Sequence, residues 1–290
     1  MNPRLYSLLN GVWAMRPDVG ILMGESVKGG LEASIRRQMA DMDPARVQAM
    51  RALAGRVVDL RSEPGAWYDP TFHPHIRPSG VGVLPISGPQ LDRQIWCYQG
   101  YAEHRAALKE FARLGVTNLV MPVDSPGGVA NGALWDFCAD LRTFRDAIPI
   151  FGVVECDAGS AACVILCQSS KVLTERGRSD GHLGVWNRHV DVSKGLTDAG
   201  VAVTYYSRGR YKVFFAEDIP KSAETDEVYE AGVERAWQEL LDEVVAGRPT
   251  LTRETVASME ALIYHGADAV DVGLADGLGT LEQVLDALEG

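Results

Sequence analysis

A chain of 290 residues, 46% hydrophobic and 23% charged, can bury a substantial core, either as one large domain with extensions or as two small ones. Its formal net charge of -11, from 39 acidic and 28 basic residues, argues against broad sequence-independent binding to nucleic acid or anionic membrane. Five cysteines (Cys97, Cys138, Cys156, Cys163 and Cys167) are odd in number and scattered through apolar segments, a poor disulfide framework. Arg16 and Asp18 interrupt the N-terminus before any signal-type apolar run, and no segment has the roughly 18 apolar residues of a membrane span, so a soluble intracellular protein is expected.

In chain order, Asp43-Pro44 opens a helix carrying Val47, Met50, Leu53, Val57 and Leu60 at helical spacing, a docking arm with one buried stripe. Four prolines between Glu63 and Gly80 punctuate Trp67, Tyr68 and Phe72, which reads as an extended connector. Residues 1–80 are therefore assigned to an N-terminal arm and connector, and residues 81–290 to the main domain. There, strand and helix alternate. Val81–Ile86 is an apolar strand, Tyr101–Leu114 a helix, Asn118–Val123 a strand, Ala130–Ala147 a helix, and Ile148–Glu155 a strand running toward Ser160. A helix through Cys167 follows, then strands at Lys171–Thr174, Leu183–Trp186 and Val201–Tyr206, with a helix at Val190–Asp198 between the last two. A long amphipathic helix from Ser222 to Val245 ends at Arg248-Pro249, and Gly266–Leu288 closes the domain. Continuous apolar strands alternating with helices predict an α/β fold with a mostly parallel sheet covered on both faces.

Sites in such sheets lie beyond the carboxyl ends of strands, and two segments fall there. One is Asp124-Ser125-Pro126-Gly127-Gly128, whose glycines let backbone amides turn toward an oxyanion; alone, it reads equally as a strand-to-helix turn. The other is Ser160 in Ala158-Gly159-Ser160-Ala161-Ala162, a nucleophile at a helix start or a plain N-cap. The natural oxyanion donors are the amides of Gly128, within the Gly127-Gly128 pair, and of Ala161. Ser125 reads as turn chemistry. A serine nucleophile needs a base, and two residues compete for that role. Among the six histidines, His182 in Asp180-Gly181-His182-Leu183-Gly184 is nearest the core. Lys212 has Tyr211, Val213, Phe214 and Phe215 beside it to desolvate its amine, which a lysine base requires. The cysteines complete no zinc-type spacing, so no metal and no cofactor is expected.

Asp124-Ser125-Pro126-Gly127-Gly128 resembles the Asp-Ser/Thr-Pro-Gly-Gly motif of signal peptide peptidase A-like serine peptidases. A Ser-Ala-rich helix start follows, and Lys212 lies 52 residues after Ser160, near the family's interval of some fifty. Gly181-His182-Leu183-Gly184-Val185 resembles the family's Gly-Ser-Ile-Gly-Val segment with His182 in place of serine. The stretch from Gly266-Ala267-Asp268-Ala269 to Gly273-Leu274-Ala275-Asp276 resembles its closing signature. Val83-Leu84-Pro85-Ile86-Ser87-Gly88 is more similar to the tailed-bacteriophage prohead protease branch. The resemblance spans about Val81 to Leu278. It implies a ClpP/crotonase-like fold with Ser160 as nucleophile and Lys212 as general base. It also implies cleavage of scaffold and capsid-associated proteins in head maturation, inside the assembling prohead in the host cytoplasm. The expected partners are protein substrates and further copies in a homo-oligomer, with no nucleic acid and no membrane. A crotonase-like acyl-CoA enzyme and a non-catalytic capsid or portal assembly protein are the alternatives.

Overall fold

The computed structural model of the chain describes residues 73–94 and 98–290. The expected arm helix and most of the connector lie outside the described residues. Contacts divide the described chain into two units, residues 185–238 and the remainder, with the division falling after Gln238.

The larger unit is built on a sheet whose main path runs β1 (His75–Ile76), β2 (Gly82–Val83), β4 (Leu119–Ser125), β5 (Ile150–Gly159), β6 (Lys171–Thr174) and β9 (Gly277–Leu278). β3 (Ile86–Ser87) pairs with β4, and β7 (Ser179–Gly181) pairs with β5 and with β8 (Ile263–His265). All pairings are parallel except β1 with β2 and β7 with β8. The fold is therefore α/β with a mostly parallel sheet, as the strand and helix alternation predicts. β1 precedes Val81, so the sheet begins within the segment expected to be connector.

Neighbouring strand residues point to opposite faces, and both faces of this sheet are covered. Val120, Phe151, Val153 and Leu173 pack with Val284, Ala287 and Leu288 of α8 (Leu281–Glu289). Leu119 points the other way, toward Phe111 of α1 (Tyr101–Leu114), and both lie beside Gly82. Next to α1 lies α2 (Gly132–Ala147), which starts at Asn131, whose side chain accepts the Ala133 amide, and buries Leu134, Phe137, Cys138 and Leu141. Each fully buried side chain of this size stabilises the fold by about 1.5–3 kcal/mol.

Three strands differ from expectation. The first breaks into β2 and β3 at Leu84-Pro85, because proline has no N–H to give the ladder. The one expected at Leu183–Trp186 ends instead at Gly181, where left-handed backbone at Gly181 (φ 119°) and His182 (φ 53°) turns the chain out of extended conformation. Val201–Tyr206 is no strand: its residues are exposed, and among the described residues no strand pairs with it. The unit of residues 185–238 holds this segment, α4 (Ser193–Asp198), shorter than expected, and the first part of α5 (Ala223–Gly247). Among the described residues no helix is long and apolar enough to cross a membrane.

Candidate active site

β5 runs ten residues and carries Ser160 immediately beyond its end. Its first half is held between β4 and β6, and Asp157–Gly159 is held by β7. α3 (Ala161–Cys167) starts directly afterwards, entirely buried, so the chain must reverse direction within one residue. Ser160 makes that reversal at φ 51° and ψ -118°, a conformation that costs a non-glycine residue about 1–3 kcal/mol. Although it occupies the N-cap position, its side chain makes no capping hydrogen bond, so capping does not account for the serine. The Ser160 amide donates to Gly181 O at 2.8 Å and its carbonyl accepts from Val164 N at 3.0 Å, which hold the turn from both sides. A strained strand-turn-helix that leaves a serine hydroxyl unused is the geometry of a nucleophile turn.

The glycine turn at the end of β4 packs directly on it. A Cβ at Gly127 would lie 2.6 Å from Gly159 O, 2.8 Å from Ser160 Cβ and 3.2 Å from Ala161 N, and Gly127 has φ 103°, so both space and backbone demand glycine. The Gly127 amide donates to Ser125 Oγ (3.1 Å), which itself donates to Gly88 O (2.7 Å), and Gly127 O accepts from Gln90 N (2.9 Å). Ser125 is thus turn chemistry, as its setting suggests, and Gly127 has no free donor. Gly128 N–H makes no hydrogen bond among the described residues, and Ala161 N–H belongs to the first turn of α3, which has no intrahelical acceptors. Ala161 follows Ser160 directly, and Gly128 follows Gly127, the residue that packs on Ser160.

Under α3 lies a buried polar cluster that sequence reasoning missed. Asp180, on β7 opposite Ala158, is fully buried, and desolvation raises its pKa to about 6. The Cys163 thiol, the Gly181 amide and the charge of Arg248 pull the other way, though neither carboxylate oxygen gains a partner with full hydrogen-bond geometry. Cys163 has its own pKa pushed up by a hydrogen bond with Cys167 and by burial. Arg248 binds Asp276 through two nitrogens (2.8 and 3.1 Å) and also donates to Gly273 O, while Asp276 accepts Val172 N of β6 at 2.7 Å. The closing Gly-Leu-Ala-Asp segment therefore works as a clamp on the sheet.

Gly127, Gly128, Ser160 and Ala161 come together in the larger unit, whereas Lys212 lies in the unit of residues 185–238. Lys212 is exposed, and Tyr211, Phe214 and Phe215 stack edge to face on one another, with ring centroids 5.1 and 5.2 Å apart. The desolvation expected from those rings is not supplied to Lys212. His182 is in the unit of Ser160: the Ser160 amide bonds the carbonyl just before it, and its own amide donates to Leu262 O at 2.9 Å. Among the described residues, one group of three metal-type ligands has its atoms within 4.8 Å of one another, Asp124, Cys156 and Asp157, all exposed to water.

A mostly parallel sheet with a strained serine turn packed against a glycine turn at its strand ends defines an α/β protein. The family model of peptidase family S49 matches residues 142–290, and the chain belongs to this family. It is 28% identical over 209 residues to the capsid assembly protease C of Escherichia phage lambda, covering 69% of this chain and 46% of that protein. It is 29% identical over 207 residues to the head-tail preconnector protein GP5 of Enterobacteria phage P21, covering 69% and 41%. More distantly, the chloroplastic serine protease SPPA of Arabidopsis thaliana is 25% identical over 171 residues, or 57% of this chain and 24% of that one. The chain spans less than half the length of these relatives. The resemblance read from the motifs is borne out at the level of the family and its phage relatives.

Proposed function

We propose that this chain is a serine endopeptidase in which Ser160 is the nucleophile, the Gly128 and Ala161 amides are the oxyanion donors and Lys212 is the general base. The observation that carries this reading is the unsatisfied, strained Ser160 packed against the Gly127-Gly128 turn. In this mechanism Lys212 must be in its free-amine form when Oγ attacks a peptide carbonyl, and it takes the Ser160 Oγ proton. The proton then goes to the departing amine, leaving an acyl-serine, and water releases the acyl group as a carboxylate. The names of the two phage relatives support scaffold or capsid-associated proteins as substrates, cleaved inside the assembling prohead by a homo-oligomer.

Labelling with a fluorophosphonate probe followed by mass mapping tests the class. Modification at Ser160, abolished in Ser160→Ala with the fold retained, is the expected result. Unchanged labelling of the alanine variant, or binding of a CoA thioester in place of labelling, would sink the reading. A specific observation favours a second assignment of the base: His182 shares the unit of Ser160, and Lys212 is exposed. A Lys212→Ala variant that kept full activity would move the base role to His182.

A further inference from the structure

Gly128 offers an amide and no side chain, so its direction is set by whatever holds the turn. The segment that holds it is at Gln90, fully buried and outside every motif. Gln90 forms a short parallel bridge with Gly128: its amide donates to Gly127 O at 2.9 Å and its carbonyl accepts from Val129 N at 2.9 Å. The fit is tight, for a Cβ at Gly128 would fall 1.8 Å from Gln90 O. The Gln90 side chain fixes this segment to β3 and its end, with Nε2 donating to Ser87 O and Gly88 O, both at 3.1 Å. Its Oε1 lies 3.0 Å from His104 Nε2. Since the amide nitrogen already donates twice, Oε1 is the acceptor, so His104 is the neutral tautomer with hydrogen on Nε2. Burial holds the His104 pKa down to about 3, and the ring stacks on Phe137 at 5.4 Å, so neither charge nor rotation disturbs the bond near neutral pH.

We propose that Gln90 is a positioning residue for the oxyanion donor, with His104 locking the orientation of its side-chain amide. This rests on the reading of Ser160 as nucleophile and Gly128 as donor. Gln90→Leu keeps the backbone bridge and removes the three side-chain bonds. His104→Phe keeps the stack on Phe137 and removes only the donor to Oε1.

The test is the kinetics of fluorophosphonate labelling of Ser160 in the full chain. Gln90→Leu is expected to lower kinact roughly ten- to a hundredfold with KI nearly unchanged, as a displaced oxyanion donor demands. His104→Phe should lower kinact by a smaller factor, again without changing KI. A purely structural role would shift the melting temperature and leave the split between kinact and KI untouched. Wild-type kinact in both folded variants would overturn the proposal while leaving the nucleophile intact. If Gln90→Leu does not fold, His104→Phe decides on the same criterion. A wild-type chain that takes no label at Ser160 would overturn the underlying reading and this proposal with it.

Discussion

Gly127 shows how little space separates the two halves of the site. A methyl group there would press on Gly159 O and on the Ser160 side chain, and its backbone at φ 103° is closed to other residues. Gly127→Ala is therefore expected to destabilise the chain by about 2 kcal/mol or more and to abolish Ser160 labelling, read by urea denaturation and by the probe. Asp180 makes a prediction of another kind. Its folded pKa of about 6 exceeds the value of about 3.9 in the unfolded chain, so between those values the native state holds a proton that the unfolded state has released. Stability from this group is present at low pH and is lost as pH rises toward 6. Asp180→Asn, facing Cys163, the Gly181 amide, Arg248 and its ladder partner Tyr264, should gain on the order of 2 kcal/mol at pH 8 and lose the difference between pH 5 and pH 8 in urea midpoints. Ser160 and the glycines are legible in the sequence because turn chemistry is local. Gln90, His104 and Asp180 are not, because what they do depends on partners brought in from distant strands and helices.

Among the elements, long apolar segments with matching caps were readable almost to the residue. Tyr101–Leu114 and Lys171–Thr174 appear at the expected bounds. α8 has a capping box in which Thr280 Oγ accepts Gln283 N and Gln283 Oε1 accepts Thr280 N, both at 3.1 Å. Because this helix closes the Val120, Phe151 and Leu173 cluster, Thr280→Ala should cost about 1 kcal/mol in the main unfolding transition followed by circular dichroism, not merely fray an end. Val201–Tyr206 misled because alternating apolar residues describe a strand only where a neighbour pairs with it. Here the row is exposed, with Tyr206 at 96%. At β7, the strand stops where Gly181 and His182 adopt left-handed backbone, which residue type alone does not reveal for a histidine.

For the whole molecule, the division into two units separates the proposed nucleophile from its proposed base. If neighbouring copies complete one another's sites, mixing Ser160→Ala with Lys212→Ala should restore peptidase activity that neither variant has alone. Activity that stays absent after mixing would place serine and lysine in one chain. Strands β5 to β9 and the closing clamp lie within the residues that the peptidase family S49 model matches, and the parallel topology was readable from strand and helix alternation. The separation of Lys212 from the larger unit was not, since a fixed spacing in sequence says nothing about how the intervening chain folds.

The proposed oxyanion donors are main-chain groups, and that has a consequence for any inactive form of this protein. Only a proline would delete a backbone N–H, so Ser160→Ala removes the hydroxyl and leaves the proposed carbonyl-binding donors in place. Ser160→Ala should therefore behave as a trap, retaining intact polypeptides it can no longer cut, and it offers a direct route to capturing the physiological substrate.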